Sequence, residues 1–270
     1  MKLLSNAKIN LGLNVIARRA DGYHNIESLF LPIPWSDEIY IEKAQEFALF
    51  TDGIPIPDGG LPNTCVKAYE LMKTAYDIPP VHIHLNKHIP TGAGLGGGSS
   101  NASFVLKALN QLFQLKLSTG NLESIALQIG SDCPFFIYNK PCFVSGTGDK
   151  LDFNLDFQLE AYGVMVNPGV HINTAKAYAS LRPKAPRMPL REAIQLPKFQ
   201  WQGKIINDFE AVVLKQYPHL ERVRQKLIDL GAFYVSMSGS GSTFYGLFEE
   251  APSNLQFRED MHWSAFDLSA

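Results

Sequence analysis

The stretch HIPTGAGLGGGSSNAS, residues 88–103, places five glycines between Gly92 and Gly98, directly ahead of the apolar run Phe104-Val105-Leu106. Glycine adds nothing to a core and loses much conformational freedom on folding, so such a cluster marks a backbone that must approach something closely. With no Cβ in the way, successive N–H groups reach the oxygens of a ligand. A helix starting behind the loop adds unpaired donors and the positive end of its dipole. The chemistry this favours is phosphate binding; a flexible turn would need fewer glycines. Ser99 and Ser100 either add hydroxyl donors to the same anion or cap the helix.

Two common phosphate motifs do not fit. Gly92, Gly94 and Gly97 have the G-x-G-x-x-G spacing, but so many glycines satisfy almost any glycine pattern, and a dinucleotide fold also needs an acid about twenty residues on to hold a ribose. None occurs between the loop and Glu123. A Walker A loop ends in Gly-Lys-Ser/Thr, whereas Gly98 is followed by two serines. A second run, Ser238-Gly239-Ser240-Gly241-Ser242, is either a hairpin turn or a backbone that approaches substrate phosphates. His82, His84 and His88 raise the question of a metal. No carboxylate or cysteine lies near them in sequence, so they are read as polar-face residues and no metal ligand is assigned.

The elements that must position these groups follow from periodicity and turn chemistry. Residues 8–17 and 26–33 read as strands joined at Asp21-Gly22, with a third strand over 37–41. The Gly/Pro/Asp-rich residues 51–62 form a loop, and Asn63 caps a helix over 65–76. Alternation of Val81, Ile83 and Leu85 with polar neighbours marks a half-buried strand, so the glycine loop lies between a strand and a helix spanning 99–115. A helix over 122–129 leads to Gly130-Ser131-Asp132 and then to an apolar FFIY strand. The pattern changes near 146–155, which divides the chain into domains at 1–153 and 154–270. The second holds strands at 161–166, 234–237 and 244–248, with helices at 209–216 and 220–230. Asp208 is a candidate helix cap, and the proline-rich residues 182–197 read as mobile surface. Strands mixed with helices and hairpin-length gaps indicate an α+β fold rather than a doubly wound parallel sheet.

Composition excludes several function classes. With 46% apolar and 19% charged residues the chain can build a sizeable globular core. A formal charge of -2 offers no electrostatic footprint for nucleic acid. No run of about 18 apolar residues exists for a membrane span, and the N-terminal apolar stretch is too short for a signal peptide. Three scattered cysteines give neither a disulfide framework nor a zinc motif, so a reduced, cytoplasmic compartment is expected.

The pattern P-x-x-x-G-L-G-G-G-S-S-N-A, from Pro90 to Ala102, resembles the ATP loop of the GHMP small-molecule kinases. AKINLGLNV, RADGYHNIESLF, GSDCPFF, NPGVHINTAKAY, NDFE and SMSGSGSTFYGLF are similar to further segments of that family, in order and over nearly the full length. The DGYH segment narrows the resemblance to the branch whose acceptor carries a cytidyl group. Kinases for mevalonate, homoserine or sugars have no cytosine to read, and a binding module without catalysis would not need both Lys8 and Asp132. The resemblance implies a two-domain fold, with an N-terminal ribosomal-protein-S5-domain-2-like ATP-binding domain and a C-terminal ferredoxin-like domain. It also implies ATP and Mg²⁺, the phosphorylation of an alcohol, and a small-molecule cytidine diphosphate derivative as partner. No nucleic acid or membrane is expected, and the assembly is a monomer or homodimer.

On this resemblance Lys8 and Asp132 are the catalytic pair. An aspartate suits the task of accepting a hydroxyl proton and holding the oxygen in line. By type and position alone it would serve equally as a turn residue after a helix. Lys8, in an otherwise apolar strand, is costly to bury unless a carboxylate such as Asp132 pairs with it; its bland alternative is a lysine reaching solvent from an edge strand. Lys8 would keep Asp132 anionic while desolvation would raise its basicity, and sequence leaves that balance open. The family's ATP-binding positions fall on Asn63, Lys87, Pro90, Gly92, Gly94, Leu95, Gly96, Gly97, Gly98, Ser99 and Ser100. Its substrate-binding positions fall on Asn10, Tyr23, His24, Thr174, Tyr178, Gly239 and Ser240. Asn10 is two residues from Lys8 and shares its strand face. Tyr23 and His24 supply a stacking face and an imidazole for the base, and Tyr178 a second ring. No acidic magnesium ligand stands out, which suits an ion held mostly by ATP phosphates and water. Ser103 stands where the family commonly has a second alanine.

Overall fold

The computed structural model describes residues 1–57, 60, 62–183 and 188–268. Its contacts divide into two compact units, one of Met1–Lys8, Pro32–Thr91 and Gly96–Lys140, the other of Ile9–Leu31, Gly92–Leu95 and Pro141–Ala270. Two long strands, β1 (Lys2–Arg18) and β2 (His24–Lys43), pair with each other, and the chain passes between the units along both. The expected strands at 26–33 and 37–41 are thus one strand. Proline already has a φ suited to extended chain, and at Pro32 and Pro34 it removes only a donor without ending the strand.

In the first unit, β3 (Ala48–Gly53) occupies the start of the expected loop at 51–62; Asp58, Gly59 and Leu61 of that loop lie outside the described residues. Helix α1 (Thr64–Tyr76) starts at Asn63, whose side chain accepts from the Cys65 amide at 2.9 Å, as its residue type predicts. Strand β4 (Val81–Lys87) pairs parallel with β3 and antiparallel with residues 38–43 of β2. Helices α2 (Gly97–Leu112) and α3 (Thr119–Leu127) follow. Ile39, Ile41, Ile83 and Leu85 from the sheet pack with Ala68 and Met72 of α1 and Val105 and Leu109 of α2. The FFIY segment is not a strand: it lies in a short helix, α4 (Cys133–Tyr138), with Asp132 at the N-cap and Pro134 in the first turn. A four-residue apolar run does not separate strand from helix, and proline near its start tips the balance.

The second unit adds β5 (Cys142–Ser145) and β6 (Lys150–Asp152), with β5 pairing antiparallel to Ser28, Leu29 and Phe30 of β2. Next come β7 (Tyr162–Asn167), α5 (Thr174–Ser180), α6 (Leu190–Ala193), α7 (Asp208–Gln216), α8 (Glu221–Asp229), β8 (Tyr234–Met237), β9 (Phe244–Phe248) and β10 (His262–Asp267). The region expected to be mobile surface, 182–197, contains α6 and is followed by a 3₁₀ turn at Lys198–Gln200; its residues 184–187 lie outside the described residues. The four-stranded antiparallel sheet runs β10-β7-β9-β8. Counted from β7 this is the 4-1-3-2 order of a ferredoxin-like fold, although the segment between β9 and β10 contains no helix.

The expected cut at residue 153 is not where contacts divide. Leu13, Val15 and Ile26 join the core formed by Val164, Phe209, Val213 and Phe244. The Leu13 amide donates to the Ile206 carbonyl at 2.9 Å, and the Val15 amide to Asp208 Oδ2 at 2.7 Å. Strands β1 and β2 therefore serve two cores.

Beneath the entry to the glycine loop lies a water-excluded polar cluster. Asp37, Lys87 and Asn101 are each at most 3% exposed. The Asp37 carboxylate pairs with Lys87 and accepts from Asn101 Nδ2 at 2.8 Å and from the amides of His88 and Ile89 at 2.7 and 2.8 Å. Asn101 completes the set, accepting from Lys87 Nζ at 3.2 Å and donating to Ser5 at 2.8 Å. Removing one partner from such a cluster leaves an uncompensated buried charge. Asp37→Ala is therefore expected to cost about 3–5 kcal/mol in chemical denaturation. A loss below about 1 kcal/mol, the worth of an exposed pair, would contradict this reading of the cluster.

Candidate active site

Within the first unit the glycine loop ends at Gly96, the N-cap of α2, in the left-handed region at φ 69° and with no side-chain capping bond. The opening amides of the helix are thus left without a side-chain acceptor. A Cβ on Gly96 would stand 3.0 Å from the Phe136 ring and 3.2 Å from Lys8 Cγ, so no larger residue fits there without displacement. One on Gly97 would meet Ile89 at 3.0 Å and Lys87 Nζ at 3.3 Å. Lys87 therefore supports the loop from below, neutralised by Asp37. The Gly98 carbonyl accepts from Thr64 at 2.8 Å. Ser100 is fully buried in the first turn of α2, and its hydroxyl has no hydrogen-bond partner. An unsatisfied buried hydroxyl is costly, and here it stands at the helix end best suited to an anion. Pro90 is buried, and Asn63 spends its side-chain oxygen on the α1 cap.

In the second unit the other end of the loop meets the second glycine run. Gly94 has φ 79°, and a Cβ there would fall 2.0 Å from the Ser238 carbonyl oxygen. One on Gly239 would fall 2.9 Å from Gly94 Cα, so the two turns pass backbone against backbone. Ser238, absent from the expected site, links them: its hydroxyl donates to the Gly94 carbonyl at 2.8 Å and accepts from the Asn10 amide at 3.3 Å. Asn10 is further held by Tyr245, which donates to its carbonyl at 2.8 Å, and its own amide donates to Ser28 at 2.9 Å. Asn207 donates to the carbonyls of Met237 and Gly239 and caps α7, so the cap expected at Asp208 belongs to its neighbour. Thr174 and Ser240 are joined through their hydroxyls at 2.9 Å, and Leu95 is buried. Gly92 packs against His171, whose ring would lie 3.1 Å from an added Cβ.

Lys8 and Asp132 come together in the first unit at 3.6 Å. The lysine side chain is 4% exposed and the carboxylate 31%. Burial lowers the Lys8 pKa below its ordinary value, against the charge of and hydrogen bond with Asp132, which raise it. The pair thus joins a poorly solvated cation to a partly solvated anion, beside the Gly96 turn.

The β1–β2 turn in the second unit is closed by the Arg19 amide on the Tyr23 carbonyl at 2.8 Å and the Tyr23 amide on Asp21 at 3.1 Å. It leaves the Tyr23 ring 66% exposed. His24 stacks on Tyr178, ring centroids 4.9 Å apart at 22°, and Tyr178 meets Phe209 edge-on at 4.8 Å. Burial, then the charge of Arg18, lowers the His24 pKa and keeps the imidazole neutral at pH 7. Residues far apart in sequence thus form one aromatic platform with a neutral donor–acceptor ring.

Among the described residues no group of three or more His, Cys, Asp or Glu is placed to hold an ion, and His84 stacks on Phe50 at 4.6 Å as a face residue. The three cysteines are free and buried, with burial pushing Cys65 up to about 12 and Cys133 to about 11. No helix of the described residues is long and apolar enough to cross a membrane.

Comparison with known proteins addresses the family of the chain. Residues 63–140 match the model of the GHMP kinases N terminal domain and residues 190–261 that of the GHMP kinases C terminal domain. A protein of Parabacteroides distasonis, 4-diphosphocytidyl-2-C-methyl-D-erythritol kinase, is 46% identical over 246 residues, 91% of this chain and 90% of its own. The protein of that name from Cytophaga hutchinsonii is 44% identical over 248 residues, 92% of each chain. A crystal structure of 4-(cytidine 5'-diphospho)-2C-methyl-D-erythritol kinase superposes with a TM-score of 0.78 at 34% identity, covering 92% of this chain and 90% of that one. The L. major mevalonate kinase, at 17% identity, superposes with a TM-score of 0.67 over 93% of this chain and 88% of its own, a likeness of fold alone. Matched in order by both models and by relatives over nine-tenths of its length, the chain belongs to the GHMP kinase family.

Proposed function

We propose that this chain phosphorylates the 2-hydroxyl of 4-diphosphocytidyl-2-C-methyl-D-erythritol with ATP, giving the 2-phosphate and ADP, in the non-mevalonate route to isoprenoid precursors. The observation that carries the chemistry is the Lys8–Asp132 pair beside the α2 N-terminus. The choice of acceptor rests on the relatives and on the His24–Tyr178 platform.

The opening amides of α2 and the Ser100 hydroxyl suit the phosphates of ATP, since a buried donor without a partner is a donor set aside for an anion. Mg²⁺, when bound, would neutralise phosphate charge. With no acidic cluster among the described residues it would be held by the phosphates and water, with Asp132 as the nearby carboxylate. Asp132 takes the proton of the acceptor hydroxyl as its oxygen bonds to the γ-phosphorus and the bond to ADP breaks. Lys8 stabilises Asp132 before the transfer and the charge on the phosphoryl oxygens during it. Asn10, with both backbone groups and its side-chain amide held, presents a fixed polar group to the acceptor. Cytosine stacks on the platform, where the neutral His24 hydrogen-bonds the base edge. The setting is cytoplasmic, as monomer or homodimer.

The direct test is ADP release by purified protein with Mg-ATP, offering the cytidyl substrate beside mevalonate, homoserine and galactose, with phosphorus NMR to identify the product. Turnover is expected with the cytidyl compound alone; turnover with another acceptor would overturn the substrate assignment. Asp132→Asn is expected to lower kcat by about 10²–10⁴-fold while ATP binding, followed by calorimetry, stays unchanged. Near-normal turnover would remove Asp132 as proton acceptor.

Tyr178→Ala is expected to raise KM for the cytidyl substrate about tenfold, the worth of one base–ring stack, and to leave KM for ATP alone. An equal rise in both would place the base elsewhere. Because burial lowers the Lys8 pKa, activity that needs its charge is fully present at lower pH. It should fall as pH rises through a value below that of an ordinary lysine. A kcat profile flat through the ordinary lysine range, in enzyme that regains full activity at neutral pH, would place the Lys8 charge outside the rate-limiting step.

A further inference from the structure

Helix α4 is six residues long, and Asp132 at its N-cap makes no side-chain capping bond. So short a helix has little stability of its own, and its placement must come from outside. Part of that support comes from α3, whose Glu123 accepts from the Tyr138 hydroxyl at 2.5 Å, and part from α2. Ser103 and Lys107 are four residues apart, so they lie on one face of α2, and each donates to a carbonyl of α4. The Ser103 hydroxyl is 2.7 Å from the carbonyl oxygen of Cys133, the residue directly after Asp132. Its single proton has a rival acceptor in the Ser99 carbonyl of its own helix at 2.9 Å. Lys107 Nζ is 2.6 Å from the carbonyl oxygen of Phe136, in the last turn of α4. The Phe136 ring is the one that packs against Gly96.

Lys107 is an unusual residue for this place. Among the described residues no carboxylate lies within ion-pair distance of it; its ammonium sits over the Phe104 ring, 4.7 Å from the centroid. Burial brings its pKa down to about 8, so at neutral pH it is still mostly charged and donates a charge-assisted bond. A half-buried cation without a counter-ion loses part of its hydration, and a neutral side chain would fill the same volume at less cost.

We propose that Ser103 and Lys107 are positioning residues for the reaction, clamping α4 onto α2 so that one rigid helix both offers amides to phosphate and holds Asp132 at the reacting hydroxyl. This rests on the reading of Asp132 as the proton acceptor. A misplacement of about 1 Å at such a group costs on the order of 10²-fold in rate, so partial loosening of the clamp is visible in turnover.

The test is steady-state kinetics with Mg-ATP and the cytidyl substrate on Lys107→Met, Ser103→Ala, Lys107→Arg, Ser103→Thr and, in parallel, Asp132→Asn. Lys107→Met is expected to lower kcat by about tenfold and Ser103→Ala by a smaller factor, with KM for both substrates within about twofold of the parent. The conservative Lys107→Arg and Ser103→Thr, which keep a donor, should regain most of the rate. Unchanged kcat in both truncations would overturn the clamp. So would losses of kcat that follow melting temperature and are not regained by the conservative variants, because a merely structural contact behaves that way. Should Lys107→Met fail to fold, Ser103→Ala against Ser103→Thr decides the same question. Full turnover in Asp132→Asn would remove the reading on which the clamp rests, whereas loss there beside unaffected truncations would remove the clamp alone.

Discussion

Burying the Asp37 carboxylate is tolerable only because four donors meet it: one ammonium, one side-chain amide and the amides of His88 and Ile89. Those two backbone donors immediately precede Pro90 and the glycine loop. Asn101, a third member, sits in the second turn of α2. One anion therefore fixes both the segment entering the loop and the helix leaving it. A glycine-rich segment cannot fix itself, since every glycine in it widens the range of conformations to be lost on folding. Binding phosphate through backbone donors needs those donors placed beforehand, or the ordering cost is charged to the ligand. The charged cluster below the loop supplies the rigidity that the loop's own composition removes.

The same unit contains a second lysine–aspartate pair of opposite design. Lys87 and Asp37 are both buried, in close contact and fully hydrogen-bonded, an arrangement whose gain is a defined geometry rather than reactivity. Lys8 and Asp132 stand 3.6 Å apart, and the aspartate is a third exposed. A carboxylate gripped as Asp37 is has no lone pair left for another molecule. Asp132 keeps part of its hydration and acceptor capacity, and only such a group can take up a proton from an alcohol. On the proposed function the pair with the fully used carboxylate is structural and the pair with the partly solvated one is chemical.

Much of this was legible in the sequence, for identifiable reasons. The alternation at Val81–Leu85 and the Asn63 cap are local signals, and β4 and α1 form where those signals place them. The composition of the glycine loop raised the expectation of a phosphate, and of the positions carried over from the family the fold brings Lys8 to Asp132 and His24 to Tyr178. What was not legible depends on long-range pairing. The strands expected at 26–33 and 37–41 are parts of one strand of twenty residues, with Pro32 and Pro34 inside it. FFIY reads as a strand until Pro134 is seen in a first helical turn. Asp37 and Ser238 carry no local mark of their importance, since a buried carboxylate in a strand and a serine before a glycine turn have ordinary sequence contexts. Ser103 was only a departure from a family pattern; its bond to Cys133 exists because a remote helix docks there.

Backbone and side chains divide the recognition between them, and the division has a physical cause. Phosphate is the same in every ATP, and N–H groups at a helix start and a tight turn can meet it whatever side chains surround them, provided the turn has no Cβ. At Gly94 even one methyl would fall 2.0 Å from a carbonyl oxygen, so the constraint is steric and admits no graded substitute. Base and alcohol differ between substrates, and only side chains can tell them apart; the proposed function gives that task to an aromatic face, a neutral imidazole and a partly solvated carboxylate. A scaffold built this way tolerates wide sequence change as long as the glycine positions and the buried supports persist. A shared fold at 17% identity is what such a scaffold permits. On the proposed function, acceptor specificity would lie in a few rings and polar groups that the turn after β1 and the helix after β7 present.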